Sequence, residues 1–182
     1  MTGRTLIAGI GNIFFGDDGF GVEVARRLAG RDDLPAQVTV ADYGIAGLHL
    51  AYDLCDGYER AILVDATPRG GAPGTVYVIE PDQPDHVPAG LFDAHGMQPE
   101  VVLGMIGTLG GAAGEPADGE PAPSPAAAPR MLIVGCEPAS AAPGIGLSEP
   151  VAAAVDSAVT VVLDLVSGRR EGVSADVPRH TR

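Results

Sequence analysis

The chain contains no lysine and no tryptophan, and all eleven of its basic side chains are arginines. Without lysine it has no phosphate-binding P-loop lysine, no Schiff-base lysine and no Ser–Lys dyad. Its two cysteines, Cys55 and Cys136, are too few for a disulfide framework or a zinc knuckle. Aromatic residues make up only 4% of the chain, so we expect a core built mainly from small and aliphatic side chains.

Charge is also one-sided, with a formal net value of −13. Nucleic acids and anionic membrane surfaces attract basic patches, so this balance argues against both as partners. The apolar run after Arg4 has some features of a signal peptide, but Asp17 and Asp18 close it and no small-residue cleavage site follows. No apolar run reaches the length of a membrane span. We therefore expect a cytoplasmic protein.

The apolar patterning predicts one α/β domain, which 182 residues are enough to form. The predicted strands are residues 5–11, 38–41, 61–65, 75–80 and 131–135. The predicted helices start near residue 18 and cover residues 46–55, 99–109 and 148–167, with Ser148 as a cap. The connection from Asp65 to Thr75 is too short for a parallel crossover, so we expect the fourth strand to be antiparallel and at an edge.

Residues 111–129 interrupt this pattern with a segment rich in Ala, Pro and Gly. Apart from proline, no apolar side chain larger than alanine occurs there, so ordering the segment would bury little surface against its conformational entropy. We predict a single domain over residues 1–167 with a disordered insert at 111–129, followed by a flexible tail at 168–182.

The glycine-rich stretch at residues 9–21 resembles a dinucleotide-binding fingerprint only in part. The position that needs a third small residue holds Phe14, and Asp42 comes too late to be the ribose-binding acid. Asp17 and Asp18 would also repel a pyrophosphate. A nucleotide cofactor is therefore not expected.

A cation fits this stretch better than a nucleotide does. Asp18 stands where a helix begins, and the helix dipole would keep its carboxylate ionised as an oxygen ligand; the alternative is a simple N-cap. Asp65 follows a buried strand, at the end of an α/β sheet where ligands bind; the alternative is an Asx turn that starts the next loop.

His95 is the third candidate ligand, in the segment Asp-Ala-His-Gly-Met before a predicted helix. The alternative is an ordinary surface or core histidine. Two carboxylates and one imidazole suit Ni, Zn, Mn or Fe, and three protein ligands leave coordination positions for substrate or solvent.

Several segments, in order along nearly the whole chain, resemble the nickel–iron hydrogenase maturation endopeptidases. They are GIGNIFFGDDGFGVEV, DYGIAG, ILVDA with APGTV, DAHGM, and GCEP with GIGLSEPV. The resemblance implies a three-layer α/β/α sandwich whose five-stranded, mostly parallel, twisted sheet has one antiparallel strand and helices on both faces. It also places the family's metal-binding positions on Asp18, Asp65 and His95.

The resemblance further implies an endopeptidase that removes a C-terminal extension from a hydrogenase large-subunit precursor once nickel has been inserted. The chain lacks a GxSxG elbow, an HExxH helix and an evident Cys–His pair. We expect nickel to come with the substrate and to act as a recognition checkpoint, with Asp18 and Asp65 as candidate catalytic groups. The candidate substrate-binding residues are Asn12, Asp42, Gly44 and Gly47. The alternative is a nickel-sensing assembly chaperone that binds the large subunit without cutting it.

Overall fold

The computed structural model describes residues 3–80 and 129–169. Within them, five strands form one sheet: β1 (Thr5–Ile10), β2 (Val38–Gly44), β3 (Arg60–Ala66), β4 (Val76–Ile79) and β5 (Arg130–Cys136). The helices described are α1 (Phe20–Ala29), α2 (Gly47–Leu54) and α3 (Glu149–Val166), and a short 3-10 helix at Gly16–Gly19 precedes α1. None of the helices in these two ranges is both long and apolar enough to cross a membrane.

The strands lie in the order β2-β1-β3-β5-β4. All neighbouring pairs are parallel except β4 and β5, which are antiparallel. The predicted antiparallel edge strand is therefore confirmed. From β1 the chain first moves outward to β2 and then returns to place β3 on the other side of β1, so the direction of winding reverses between β1 and β3.

Helices cover both faces of the sheet, which confirms the three-layer α/β/α architecture. On one face α1 and α3 pack over Ile7 and Ile62, and on the other α2 packs over Leu6 and Leu63. Strands β1 and β3 are thus buried on both sides, which explains why they have continuous apolar sequence instead of alternating apolar and polar residues.

Close packing of α1 on the sheet depends on Gly21. A Cβ at this position would collide with the carbonyl oxygens of Val64 and Ile10. The absence of a side chain lets the first turn of α1 lie directly against β1 and β3. This brings the segment between β1 and α1 to the end of β3.

Some element boundaries differ from the sequence prediction. The first helix begins at Phe20 instead of near Asp18, and β2 extends to Gly44 instead of ending at residue 41. The predicted helix at 99–109 lies outside the described residues, as do all but Pro129 of the insert and all but Gly168 and Arg169 of the tail. The predicted domain map therefore remains a prediction.

Candidate active site

The carboxyl ends of β1 and β3 form the candidate site. The winding of the chain reverses between these two strands, and open α/β sheets bind ligands at such a switch point. Asp18 lies in the 3-10 helix that follows β1, and Asp65 is the next-to-last residue of β3. The topology thus brings together two of the three predicted ligands.

Gly11 lies between the two aspartates and allows their close approach. Its φ of +128° lies in a region that side chains rarely permit, and an added Cβ would collide with the carbonyl oxygen of Asp18. The same Cβ would lie 3.8 Å from Asp65 Oδ1. The glycine after β1 is therefore a structural requirement of the site, which the sequence analysis did not identify.

Asp18 is buried, with 7% of its surface exposed. Its Oδ2 accepts the backbone N–H of Asn12 at 2.7 Å, so the carboxylate turns back toward the end of β1. The N-cap position of α1 is occupied by Gly19. The N-cap alternative for Asp18 is therefore wrong, because Asp18 precedes the cap and its Oδ2 bonds a residue outside the helix.

Asp65 is also buried, with 4% exposed, and lies inside β3 instead of starting a loop. Its Oδ1 accepts the backbone N–H of Ala66 at 2.8 Å. Burial raises the pKa of the Asp65 carboxyl well above its usual range, and the negative charge of Asp18 raises it further; the Ala66 N–H offsets part of this rise. Two buried carboxyl groups that repel each other favour either protonation of one of them or a bound cation.

His95, the third predicted ligand, lies outside the described residues. Within residues 3–80 and 129–169, no three metal-binding side chains converge. The predicted set of three ligands therefore stays a prediction, although the structure brings Asp18 and Asp65 together.

The candidate substrate-binding residues lie near the carboxyl ends of β1 and β2. Asn12 contacts Asp18, as described above, and its Oδ1 accepts the N–H of Phe14 at 3.0 Å. Asp42 is exposed at the end of β2, and its Oδ1 accepts the N–H of Gly44 at 2.9 Å. The carbonyl of Gly44 in turn accepts the N–H of Gly11 at 3.0 Å. Asp42 and Gly44 thus belong to β2 and not to the expected loop.

Gly47 differs from the other three candidates because it is the buried first residue of α2. Position and burial make it part of the packing between α2 and the sheet. None of these placements establishes contact with a substrate, so substrate binding by the four residues stays a prediction.

Asp17 has a structural role that the sequence analysis did not assign. Its carboxylate accepts N–H groups from Ala139 at 2.8 Å, Ser140 at 3.1 Å and Ser148 at 2.6 Å, and the Ser148 hydroxyl at 2.9 Å. Burial alone would raise the Asp17 pKa, but these hydrogen bonds outweigh it and lower the pKa. Ser148 is the N-cap residue of α3, as predicted, but its hydroxyl bonds Asp17 instead of capping the helix.

Cys136, at the end of β5, does not have the properties of a nucleophile. Its side chain is fully buried. Burial raises the pKa of its thiol to about 11, with smaller contributions from the charges of Asp17 and Glu137. A reactive cysteine needs an accessible thiolate, so the described part of the site contains no cysteine suited to covalent catalysis.

Exposed apolar side chains flank the 3-10 helix. Ile13, Phe14 and Ile145 are 44%, 61% and 84% exposed. A groove of about 350 Å³ runs from this helix between α1 and α3, with Ile13 and Ile145 in its lining. Apolar surface beside a polar site suits a polypeptide ligand better than a small ion.

Comparisons with known proteins agree in family and fold. A sequence model of the hydrogenase maturation protease family matches residues 22–113. The chain is 33% identical over 162 residues to a provisionally named hydrogenase maturation protease of Methanocaldococcus jannaschii, which covers 87% of this chain and 93% of the relative. It is 28% identical over 177 residues to the hydrogenase 2 maturation protease of Escherichia coli, covering 97% and 96% of the two chains. The structure of the E. coli hydrogenase maturating endopeptidase HybD matches with a TM-score of 0.69 at 28% identity, covering 91% and 93%.

Proposed function

This chain belongs to the hydrogenase maturation protease family, and from that premise we propose that it trims a C-terminal extension from the nickel-loaded large-subunit precursor of a nickel–iron hydrogenase. Family membership makes the chain a peptide-bond hydrolase that acts in hydrogenase maturation. The nickel checkpoint, the precursor substrate and a cytoplasmic location are the parts that we propose.

The buried pair Asp18 and Asp65 is the observation that supports a metal-dependent site. Each residue is less than one-tenth exposed, and the charge of Asp18 helps to raise the pKa of Asp65. A divalent cation between the two groups would offset their repulsion and allow both to ionise. Carboxylate oxygens together with an imidazole are suitable ligands for nickel.

In this proposal the nickel belongs to the substrate, whose cysteines hold it, and not to the enzyme. Asp18, Asp65 and His95 bind the open side of the metal, so that only a loaded precursor is gripped in the correct position. Binding then fixes the scissile bond at the carboxyl ends of β1 and β3. One of the two carboxylates is the candidate general base for an attacking water.

Mass spectrometry of the large subunit tests this proposal. Nickel-loaded precursor is incubated with the purified protein, and the loss of a C-terminal peptide is followed. Wild-type protein should trim the precursor, and Asp18→Ala, Asp65→Ala and His95→Ala should each fail to do so. His49→Ala is the control, because His49 is exposed on α2 and the proposal gives it no role.

A precursor that is bound by the wild-type protein but keeps its full mass would contradict trimming and favour the chaperone alternative. Normal trimming by all three alanine variants would show that the metal-binding assignment is wrong while leaving the peptidase activity intact.

A further inference from the structure

The connection between β3 and β4 carries a cation, Arg69, at the same end of the sheet as the candidate site. Asp65 and Ala66 end β3, and Arg69 follows three residues after Ala66 in a segment that continues to Thr75. Thr67 still pairs with β5, since its N–H donates to the carbonyl of Cys136 at 2.7 Å. Arg69 therefore lies in the loop that leaves the same end of the sheet as Asp65.

Glu137 holds this segment in a fixed position. The carboxylate of Glu137 accepts the backbone N–H of Arg69 at 2.8 Å, the N–H of Gly70 at 3.1 Å and the hydroxyl of Tyr77 at 2.9 Å. Glu137 is only 5% exposed; burial alone would raise its pKa, but these donors together lower it. Because the anchor is buried and ionised, the backbone at Arg69 is well defined although its side chain is exposed.

The guanidinium of Arg69 is exposed and contacts an aromatic ring. Its one ring contact is with Tyr77, where the guanidinium carbon lies 5.5 Å from the ring centroid. Within residues 3–80 and 129–169, Arg69 forms no salt bridge. Other arginines in the same ranges have polar partners: Arg60 donates to the carbonyl of Leu165 at 2.9 Å, and salt bridges are formed by Arg4, Arg26, Arg27, Arg31, Arg130 and Arg169.

The cation–π contact places the guanidinium over the Tyr77 ring without neutralising its charge. The carboxyl ends of the strands otherwise carry acidic side chains, among them Asp18, Asp42, Asp65 and Glu137. An anionic group of a substrate would be repelled by these residues and attracted by Arg69. A planar guanidinium with free N–H groups is well suited to a carboxylate, which it can bind through two hydrogen bonds.

We propose that Arg69 binds a carboxylate of the polypeptide substrate. This carboxylate would lie close to the part of the substrate that is bound at the Asp18–Asp65 pair. The inference rests on the proposed function in one respect, because it takes the hydrogenase large-subunit precursor as that polypeptide. The carboxylate belongs either to an acidic side chain of the C-terminal extension or to the terminus of the precursor.

Affinity for the nickel-loaded precursor, measured by biolayer interferometry at low salt, tests the inference independently of cleavage. A charge-assisted hydrogen bond to a carboxylate is strong enough that Arg69→Ala should weaken binding by about tenfold or more. Arg69→Lys keeps the charge but loses the planar pair of N–H donors, so its affinity should lie between those of the wild type and Arg69→Ala. Rising salt should reduce the difference between wild type and Arg69→Ala.

Arg31→Ala is the matched control. Arg31 pairs with Asp33 in the segment between α1 and β2, which lies at the amino ends of the parallel strands, opposite the candidate site. It removes the same charge and should leave the affinity within about twofold, well below the effect of a specific charged contact. Equal affinity of Arg69→Ala and wild type, or an equal loss in Arg31→Ala, would overturn the inference.

Two altered precursors identify the source of the carboxylate. One has the Asp and Glu residues of its extension changed to Asn and Gln, and the other has an amidated C-terminus. The effect of Arg69→Ala should vanish with one of them, and its persistence with both would contradict the inference. If wild-type protein binds without trimming, the proposed function fails while Arg69 is still judged by affinity; if it does not bind, both fail.

Discussion

Asp17 and Asp18 are adjacent in the chain, but their carboxylates have different environments. The carboxylate of Asp17 accepts four hydrogen bonds from the segment after β5, and its pKa is lowered. Asp18 lies beside Asp65, whose pKa is raised by burial and by the charge of Asp18. The same residue type therefore stabilises the fold at one position and carries an unfavourable electrostatic interaction at the next. Such a cost is expected where a site is organised for a ligand.

Asp18→Asn separates a structural role of Asp18 from a functional one. The amide oxygen of asparagine can still accept the N–H of Asn12, so the melting temperature should stay within a few degrees. The change removes one anionic oxygen ligand, and trimming of nickel-loaded precursor should be lost. Thermal unfolding and the mass of the large subunit measure the two effects. Full trimming by Asp18→Asn would contradict its assignment as a ligand.

Asp65→Asn should make the metal-free protein more stable and inactive. The folded-state pKa of Asp65 is raised, so folding holds its proton more tightly than the unfolded chain does. Stability of the wild type should therefore fall as pH rises from about 4, the unfolded value, through the folded pKa. An asparagine has no such penalty, and a gain of about 1 kcal/mol would raise the melting temperature by about 2–4 °C.

Urea unfolding of both proteins between pH 5 and 8 measures this difference. The advantage of Asp65→Asn should grow with pH across that range. A variant that is less stable than wild type at every pH would show that Asp65 has a structural role instead.

At the scale of elements, Asp17 connects the 3-10 helix before α1 to the start of α3. Asp17→Ala would leave the N–H groups of Ala139, Ser140 and Ser148 without their acceptor. Ala139 and Ser140 are exposed, so water can replace part of what their N–H groups lose. Because several hydrogen bonds to one buried carboxylate are removed together, the free energy of unfolding should still fall by about 2 kcal/mol or more.

Ser148→Ala is the matched control for Asp17→Ala in denaturant unfolding. It removes one hydroxyl donor and keeps the three N–H bonds, so it should cost only about 1 kcal/mol. Because the Asp17 pKa is lowered in the fold, its contribution should be present near neutral pH and be lost as pH falls through that pKa. A loss in Asp17→Ala no larger than in Ser148→Ala would contradict this role.

The central strands could be predicted from sequence because burial on both faces leaves a continuous apolar run, as in β1 and β3. The short link after Asp65 also predicted the antiparallel edge strand correctly. The end of β2 could not be predicted, because Asp42 and Gly44 are typical loop residues and extend the strand only through pairing with Gly9 and Ile10.

For the site, position along the chain was enough to predict that Asp18 and Asp65 lie at the same end of the sheet, since Asp18 falls in the segment after β1 and Asp65 at the end of β3. The roles of Asp17 and Glu137 were not predictable in this way. The partners of Asp17 lie more than 120 residues away, and those of Glu137 lie at least 60 residues away. Contacts over such separations exist only in the folded chain and leave no local pattern.

At the scale of the whole molecule, the segment at residues 111–129 should be dispensable for folding. Apart from proline it has no apolar side chain larger than alanine, and the cost of closing a loop changes only slowly with its length. Replacing it with a short Gly/Ser linker should leave the melting temperature within a few degrees. A large loss of stability would show that the segment packs against the domain.

The central claim is that a buried pair of carboxylates recognises a metal carried by the substrate. Its most direct test compares nickel-loaded with nickel-free large-subunit precursor, each incubated with the wild-type protein, by the mass of the large subunit over time. The account predicts trimming of the loaded precursor alone, and no trimming of either form by Asp65→Asn. Equal trimming of the nickel-free precursor by the wild-type protein would contradict it.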